Sequence, residues 1–289
     1  MTRSTLLHLR IPFSFYLLPV FLFAFAISES FEWIDFVLVA IALHLFLYPA
    51  SNGYNSYFDK DEQSIGGLEH PPEVKIELYT YALIFDGAAL VLGYFISWQF
   101  VAMLFIYGLA SKAYSHPSVR LKKLPFVGWL IAGYFQGYFT FLMAYIGINH
   151  CDISDTFIAE IQFPALLSSI LLWGSYPMTQ IYQHDEDRRR GDFTISLKLG
   201  VLGTFHFTAV VFSAATAGFV FFFYQYFSLE AALVYMACMG PILFFFGKWY
   251  IKARKDITTV NFKNAMSLNF VSALMLNIFF LILGLALIP

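Results

Sequence analysis

The sequence predicts an all-α, polytopic membrane protein, a bundle of nine transmembrane helices. Three observations predict it. Of its 289 residues 59% are hydrophobic and only 12% are charged, where a soluble domain carries about a quarter. The apolar residues gather into runs near the roughly 20 residues that a helix needs to cross a bilayer. The charges are segregated, so the net charge of −2 says little about partners while its distribution says much.

In chain order the expected spans are 11–27, 33–57, 78–96, 100–113, 126–146, 163–182, 205–224, 229–246 and 266–288. Arg3 and Arg10 precede the first, and Ala24-Phe25-Ala26 resembles a signal-peptidase site. The length of the run, with Pro12 and Pro19 inside it, favours a retained helix. Only Ser97-Trp98-Gln99 separates the third run from the short fourth, so one long helix is the alternative. Charge parity decides for two. With nine spans, all 17 Lys and Arg residues fall on the face that holds the N-terminus, 51–77, 112–125, 183–204 and 247–265. The other face holds Glu29, Glu32, Asp35, Asp152, Asp155, Glu160 and Glu230 and no basic residue. The basic face is cytoplasmic by the positive-inside rule. This makes a multi-pass protein of the cell (inner) membrane, with Pro289 outside. Gly66-Gly67 and Pro71-Pro72 mark a true loop before the third run. No linker divides residues 1–289, which read as one domain. Cys151 and Cys238 suggest no disulfide framework, and seven histidines without HxxxH or HExxH spacing argue against zinc.

Two charged clusters follow the second and sixth runs on the same face. Seven of the ten residues from Gln183 to Asp192 carry charge, and Tyr176, Gln180, Gln183 and Asp187 lead into them on one helical face. His44, Tyr48, Asn52, Asn55, Asp59 and then Glu62 or Gln63 form the matching stripe. Polar groups within spans face a cavity or one another, so these stripes are either walls of a wet cleft or an inter-helix seam. Magnesium takes hard oxygen ligands, commonly one or two carboxylates plus substrate phosphates, a role that suits Asp59 and Asp187. Arg10, Lys112, Arg120, Lys122 and Lys123 could bind the remaining charge of a diphosphate, or could simply flank the membrane. Tyr134, Tyr138, Phe141 and Tyr145 form a stripe on the fifth helix that could line a channel and stabilise a cation through ring faces, or could only pack. Asp86, mid-helix, either pairs with another polar group or faces the same cavity.

These segments resemble the UbiA superfamily of intramembrane prenyltransferases. Asn55-Ser56-Tyr57-Phe58-Asp59 is similar to the start of that family's Asn-Asp-x-x-Asp-x-x-x-Asp motif, with Gln63 in the place of the last Asp. Gln183 to Asp187 stands for its Asp-x-x-x-Asp motif, and Asp187-Arg188, Gly191, Thr194 and Leu199-Gly200 are similar to the flanking signature. The segment from Tyr114 to Pro125 is similar to the family's Tyr-Ser-x-Pro-Pro-x-Arg-Leu-Lys stretch, and Arg10 with Pro12 fits the first helix. The resemblance covers the whole chain. Two motif aspartates are Gln here, so weaker or fewer bound ions are expected.

The resemblance implies a central cavity capped on the cytoplasmic side and Mg²⁺ as cofactor. Its substrates would be a prenyl diphosphate donor and a lipophilic acceptor, with an aromatic, quinone-precursor-like acceptor expected. Asn55, Asp59 and Asp187 are the expected catalytic residues. Metal ligands are expected at Asp59, Glu62, Gln63, Gln183 and Asp187, with Glu62 chosen because three residues on a helix return to the face of Asp59. Substrate contacts are expected from Arg10, Asn52, Lys112, Tyr114 and Arg120, and from Lys122, Tyr138, Gln180 and Gln183. The lipid bilayer is the expected surrounding; nothing suggests nucleic acid or an obligate protein partner. The alternatives are a non-aromatic acceptor (a sugar phosphate or glycerol phospholipid) and a non-catalytic lipid-binding or transport protein.

Overall fold

The computed structural model describes residues 1–28 and 31–286. Glu29, Pro289 and the end of the last expected span lie outside the described residues. The helices are α1 (Arg3–Leu9), α2 (Leu18–Ala26), α3 (Trp33–Ile41), α4 (Tyr48–Asp59), α5 (Glu77–Tyr94), α6 (Trp98–Ser115), α7 (Pro125–Gly133), α8 (Thr140–Asn149), α9 (Ala159–Gln180), α10 (His184–Arg190), α11 (Ile195–Tyr226), α12 (Leu229–Lys255) and α13 (Phe262–Ala286). Among the described residues no strand forms beyond an isolated bridge between Ile65 and Leu68.

Five stretches are long and apolar enough to cross a bilayer: Trp33–Asp59, Pro125–Asn149, α11, α12 and α13. The bent pair Arg3–Tyr16 and Leu18–Ala26, at 41°, would make a sixth. Length and composition thus give five or six candidate spans among the described residues, against the expected nine. Helices α5, α6 and α9 have 18, 18 and 22 residues, but their polar residues dilute them. Chain reversal at 95–97 separates α5 from α6, so the single-helix alternative does not hold. The Ser97 hydroxyl caps α6 by accepting from Phe100 N at 3.1 Å, and Gly93 lets Leu104 pack where a Cβ would sit at 2.7 Å.

Helix α2 is buried from Pro19 to Ala26. It packs against α8 and α13, and the ring of Phe23 meets those of Phe141, Phe219, Phe222, Phe223 and Phe280. Two spans carry a π-turn at mid-length, Ala42–Leu47 and Tyr134–Phe139. The second has a visible cause. Gly137 lies so close to α9 that a Cβ would meet Ser169 Cα at 2.5 Å. Ser169 Oγ accepts from Tyr138 N at 2.8 Å and donates to Gly133 O at 2.9 Å, satisfying groups that the widened turn releases.

Candidate active site

One cavity of about 580 Å³ receives both motif segments. Its charged end is lined by Asp59, Asp61, Asp187 and Asp192 together with Arg10, Lys122 and Arg190. Its body is lined by Leu17, Val20, Phe135, Phe212, Phe246 and Leu276.

The first segment is the end of α4. Asn52, Asn55 and Asp59 face the cavity at intervals of three and four, one helical face. Ser115 Oγ donates to Asn55 Oδ1 at 3.0 Å. The helix stops at Asp59 because Lys60 adopts a left-handed conformation (φ 50°, ψ 48°) and its N–H closes on Ser56 O at 3.0 Å. The following chain folds back, and Asp61 lines the cavity. Arg10 anchors that loop, donating from Nη1 to Gly66 O at 3.1 Å and from Nη2 to Asn52 O at 3.3 Å.

The second segment behaves differently. After α9 the chain turns once and re-enters a helix, with Asp187 N donating to Gln183 O at 2.9 Å. Gln183 and Asp187 are therefore one helical turn apart and both line the cavity. Gly191 ends α10 in a left-handed conformation (φ 69°), and the Asp192 N–H closes on Asp187 O at 2.9 Å. Thr194 has two tasks: its hydroxyl caps α11 by accepting from Leu197 N at 3.3 Å and donates to Asp187 Oδ2 at 3.0 Å.

Three of the four carboxylates at this end are ion-paired. Arg120 donates to both oxygens of Asp192, at 2.9 and 2.8 Å. Lys122 is ion-paired with Asp59, and Arg190 with Asp61 at 2.6 Å. Burial pushes the Asp187 carboxyl up to about 7, opposed by the Thr194 hydrogen bond and helped by Asp192. Burial, then Asp59, raises Asp61 to about 6 against the pull of Arg190 and Lys122. Burial would raise Asp192 too, but the hydrogen bonds from Arg120 and the charge of Lys122 bring it below the usual carboxylate range. Acids raised in a cleft are common where proton or metal binding does work.

The UbiA prenyltransferase family's sequence profile matches residues 16–271. The chain belongs to the UbiA prenyltransferase family. It is accordingly an intramembrane prenyltransferase of multi-pass form. Among solved structures it is similar to a UbiA homologue from Archaeoglobus fulgidus bound to GPP and Mg²⁺, at 17% identity and TM-score 0.69, over 98% of this chain and 99% of that one. It is also similar to an apo UbiA homologue from Aeropyrum pernix K1, at 16% identity and TM-score 0.70, over 98% and 99%. A digeranylgeranylglyceryl phosphate synthase matches at 16% identity and TM-score 0.61, over 96% and 98%. At these identities the likeness shows the fold. No curated protein matches.

Several expected site residues of this UbiA chain stand elsewhere than the sequence suggested. Glu62 and Gln63 are exposed and outside the cavity. The helical spacing that paired Glu62 with Asp59 does not apply beyond the end of α4 at Asp59. Lys112 lies away from the cavity in an ion pair with Asp86, which answers the question of Asp86's partner. Arg120 stands behind Asp192, and Lys123 is exposed. Tyr138 donates to Gln162 Oε1 and stacks on Tyr134 at 5.5 Å; neither tyrosine lines the cavity, while Phe135 and Gln136 do. Tyr134 and Tyr138 keep to one face, as do the stacked Phe141 and Tyr145 at 6.5 Å, but none of the four lines the cavity. Tyr114, hydrogen-bonded to Tyr176, lines the cavity with Gln180. Asp61, Asp192 and Arg190 were not among the expected site residues, and Thr194 was noted only as part of the flanking signature. Gly191 was a signal for Asp192: a glycine closing a helix turns the next residue back towards the last turn.

Among the described residues no three His, Cys, Asp or Glu side chains are arranged as a metal site. The available donors are nonetheless hard oxygens. Asp59 Oδ1 is buried without a hydrogen bond, though Lys122 is within ion-pair range, and the Asp187 carboxylate receives only Thr194 among the described side chains. Such a set suits a magnesium ion that draws its other ligands from water and phosphate.

Proposed function

We propose that this protein transfers a prenyl group from an allylic prenyl diphosphate to a lipophilic aromatic acceptor, with Mg²⁺, and releases diphosphate. The observation that carries the reading is a single cavity with a carboxylate- and cation-lined end and an aromatic, apolar body. Asp59 and Asp187 would hold the ion, with Asn55 and Gln183 offering amide oxygens beside them. Bound there, Mg²⁺ supplies Lewis-acid stabilisation of the leaving diphosphate. Lys122 and Arg190 line the same end and bind phosphate oxygens, while Arg10 holds the 61–66 loop over them. The allylic C–O bond breaks with its electron pair going to diphosphate. The acceptor's electron pair then forms the new bond to that carbon, and the acceptor loses a proton. Phe135, Phe212 and Phe246 line the body, where ring faces favour a cation and exclude water.

An aromatic acceptor is favoured over a phosphorylated one by the placing of charge. Among the described lining residues the cations are Arg10, Lys122 and Arg190, all at the charged end, which leaves none for a second phosphate. The body offers neutral polar groups instead, among them the buried, unpartnered Thr208 hydroxyl. We further assign α5, α6 and α9 as spans, which gives nine with the bent first pair. The charged end and N-terminus then lie on the cytoplasmic side of the inner membrane in one domain. The test is diphosphate release by the purified protein from an allylic diphosphate with phenolic, sugar-phosphate and glycerophosphate acceptors. Release with phenolic acceptors alone is expected; release with only the phosphorylated ones would contradict the acceptor assignment, and release with none the enzymatic one.

A further inference from the structure

The four carboxylates at the charged end are not equivalent. Asp59 faces Lys122 and has Arg120 at 3.8 Å. Asp192 is gripped by Arg120 at 2.8 Å. Asp61 receives Arg190 Nη1 at 2.6 Å. Among the described residues, Asp187 alone of the four has no Lys or Arg within ion-pair distance and keeps only the Thr194 hydroxyl at 3.0 Å.

The cations differ as well. Lys122 is a single point charge shared between Asp59 and, at 3.8 Å, Asp192. Its ammonium can swing to a phosphate oxygen and free Asp59. Arg190 is held at two points, Nη1 on Asp61 and Nη2 on Glu186 Oε1 at 3.1 Å. Glu186 is only 6% exposed and also accepts from Glu62 N at 3.2 Å. Evicting Arg190 would strand two carboxylates in a poorly solvated place, a strongly unfavourable change. Its guanidinium cannot lose its proton, and with five N–H donors it has some left for phosphate oxygens. The neighbouring arginines do not compete for this place. Arg188 and Arg189 are exposed and engaged with Asp185, whereas Arg190, three residues after Asp187 and four after Glu186, turns to the cavity.

We propose that Arg190 is a diphosphate-binding residue standing where a second divalent ion would otherwise bind, so that this site takes one divalent ion with its prenyl diphosphate. The inference rests on the prenyl-transfer reading above and adds to it the charge pattern of the bound donor. Asp187, together with Asp59 once Lys122 turns to a phosphate oxygen, would hold that ion. Arg190, fixed by Asp61 and Glu186, meets the diphosphate from the other loop.

The test counts metal without turnover. Mn²⁺ is titrated into the purified full-length protein with saturating geranyl thiodiphosphate, a donor analogue with a sulfur bridge, and free Mn²⁺ is read by electron paramagnetic resonance against the analogue alone. Wild type should bind about one Mn²⁺ per chain, and Arg190→Gln, which uncovers Asp61 and Glu186, about two. Arg190→Gln should also bind the analogue more weakly at low Mn²⁺. A wild-type count of two or of none overturns the proposal, and this holds even if the variant does not fold. So does a count of one in a folded Arg190→Gln, since a purely structural tie between the loops would leave the metal count unchanged. Diphosphate release from GPP by wild type is measured beside it. Two ions with normal release would sink the Arg190 assignment alone, and one ion without release would sink the transferase reading.

Discussion

The two ends of helix that carry the motifs, after α4 and after α9, look alike in sequence and differ in structure. Both bring an amide-rich helical face to an acidic cluster. After α9 the chain resumes a helix at His184, so the four-residue interval from Gln183 to Asp187 remains a helical interval and both side chains reach the cavity. After α4 a left-handed Lys60 ends the helix, so Glu62 and Gln63 leave and Asp61 enters. Periodicity places side chains only while the helix lasts, and the residue that ends it decides which acid turns back into the site.

The largest effect expected from this contrast is at the residues common to both readings. Asp59→Asn or Asp187→Asn should each lower the rate of diphosphate release by about a hundredfold or more, the worth of a carboxylate that holds a catalytic ion. Near-normal rates in both, with Mg²⁺ still required, would move the site. The next effect separates the loop acids. Asp61→Asn removes Arg190's cavity-side partner and should cost about tenfold in kcat/KM, whereas Glu62→Gln should stay within about twofold. The reverse order would mean that the helix continues past Lys60 in the working enzyme. The smallest is at the two glutamines. Gln183→Asp adds a carboxylate inside the cavity and should lower the half-saturating Mg²⁺ concentration several-fold, roughly 1 kcal/mol. That gain is partly offset by loss of the Gln183 Nε2 donation to Ser64 O at 3.0 Å. Gln63→Asp, on an exposed loop, should leave the magnesium titration unchanged; a shift equal to that of Gln183→Asp would put Gln63 in the site.

Much of this was legible in the sequence because it depends on local pattern. The apolar runs announced the helices, and the polar stripes at Asn52, Asn55 and Asp59 and at Gln180, Gln183 and Asp187 marked the faces that meet in the cavity. What escaped depended on single backbone events and on distant partners. The left-handed Lys60 has no glycine to announce it. The π-turn at 134–139 is set by α9 pressing on Gly137, a contact 32 residues away in the chain, and Tyr138 is engaged by Gln162, 24 residues away. Lys112 and Arg120 looked like diphosphate ligands because their charge was visible while Asp86 and Asp192, the carboxylates that engage them, were separated from them by 26 and 72 residues.

The central claim is that Asp59 and Asp187, from the two motif segments, act on one bound donor. A double-mutant cycle of Asp59→Asn and Asp187→Asn, read as the rate of diphosphate release at saturating donor and Mg²⁺, tests it most directly. Groups that serve one ion fail together, so the double variant should be within about threefold of the slower single variant. A double variant slowed by the product of the two single losses would mean that the carboxylates act independently, and would contradict a shared site.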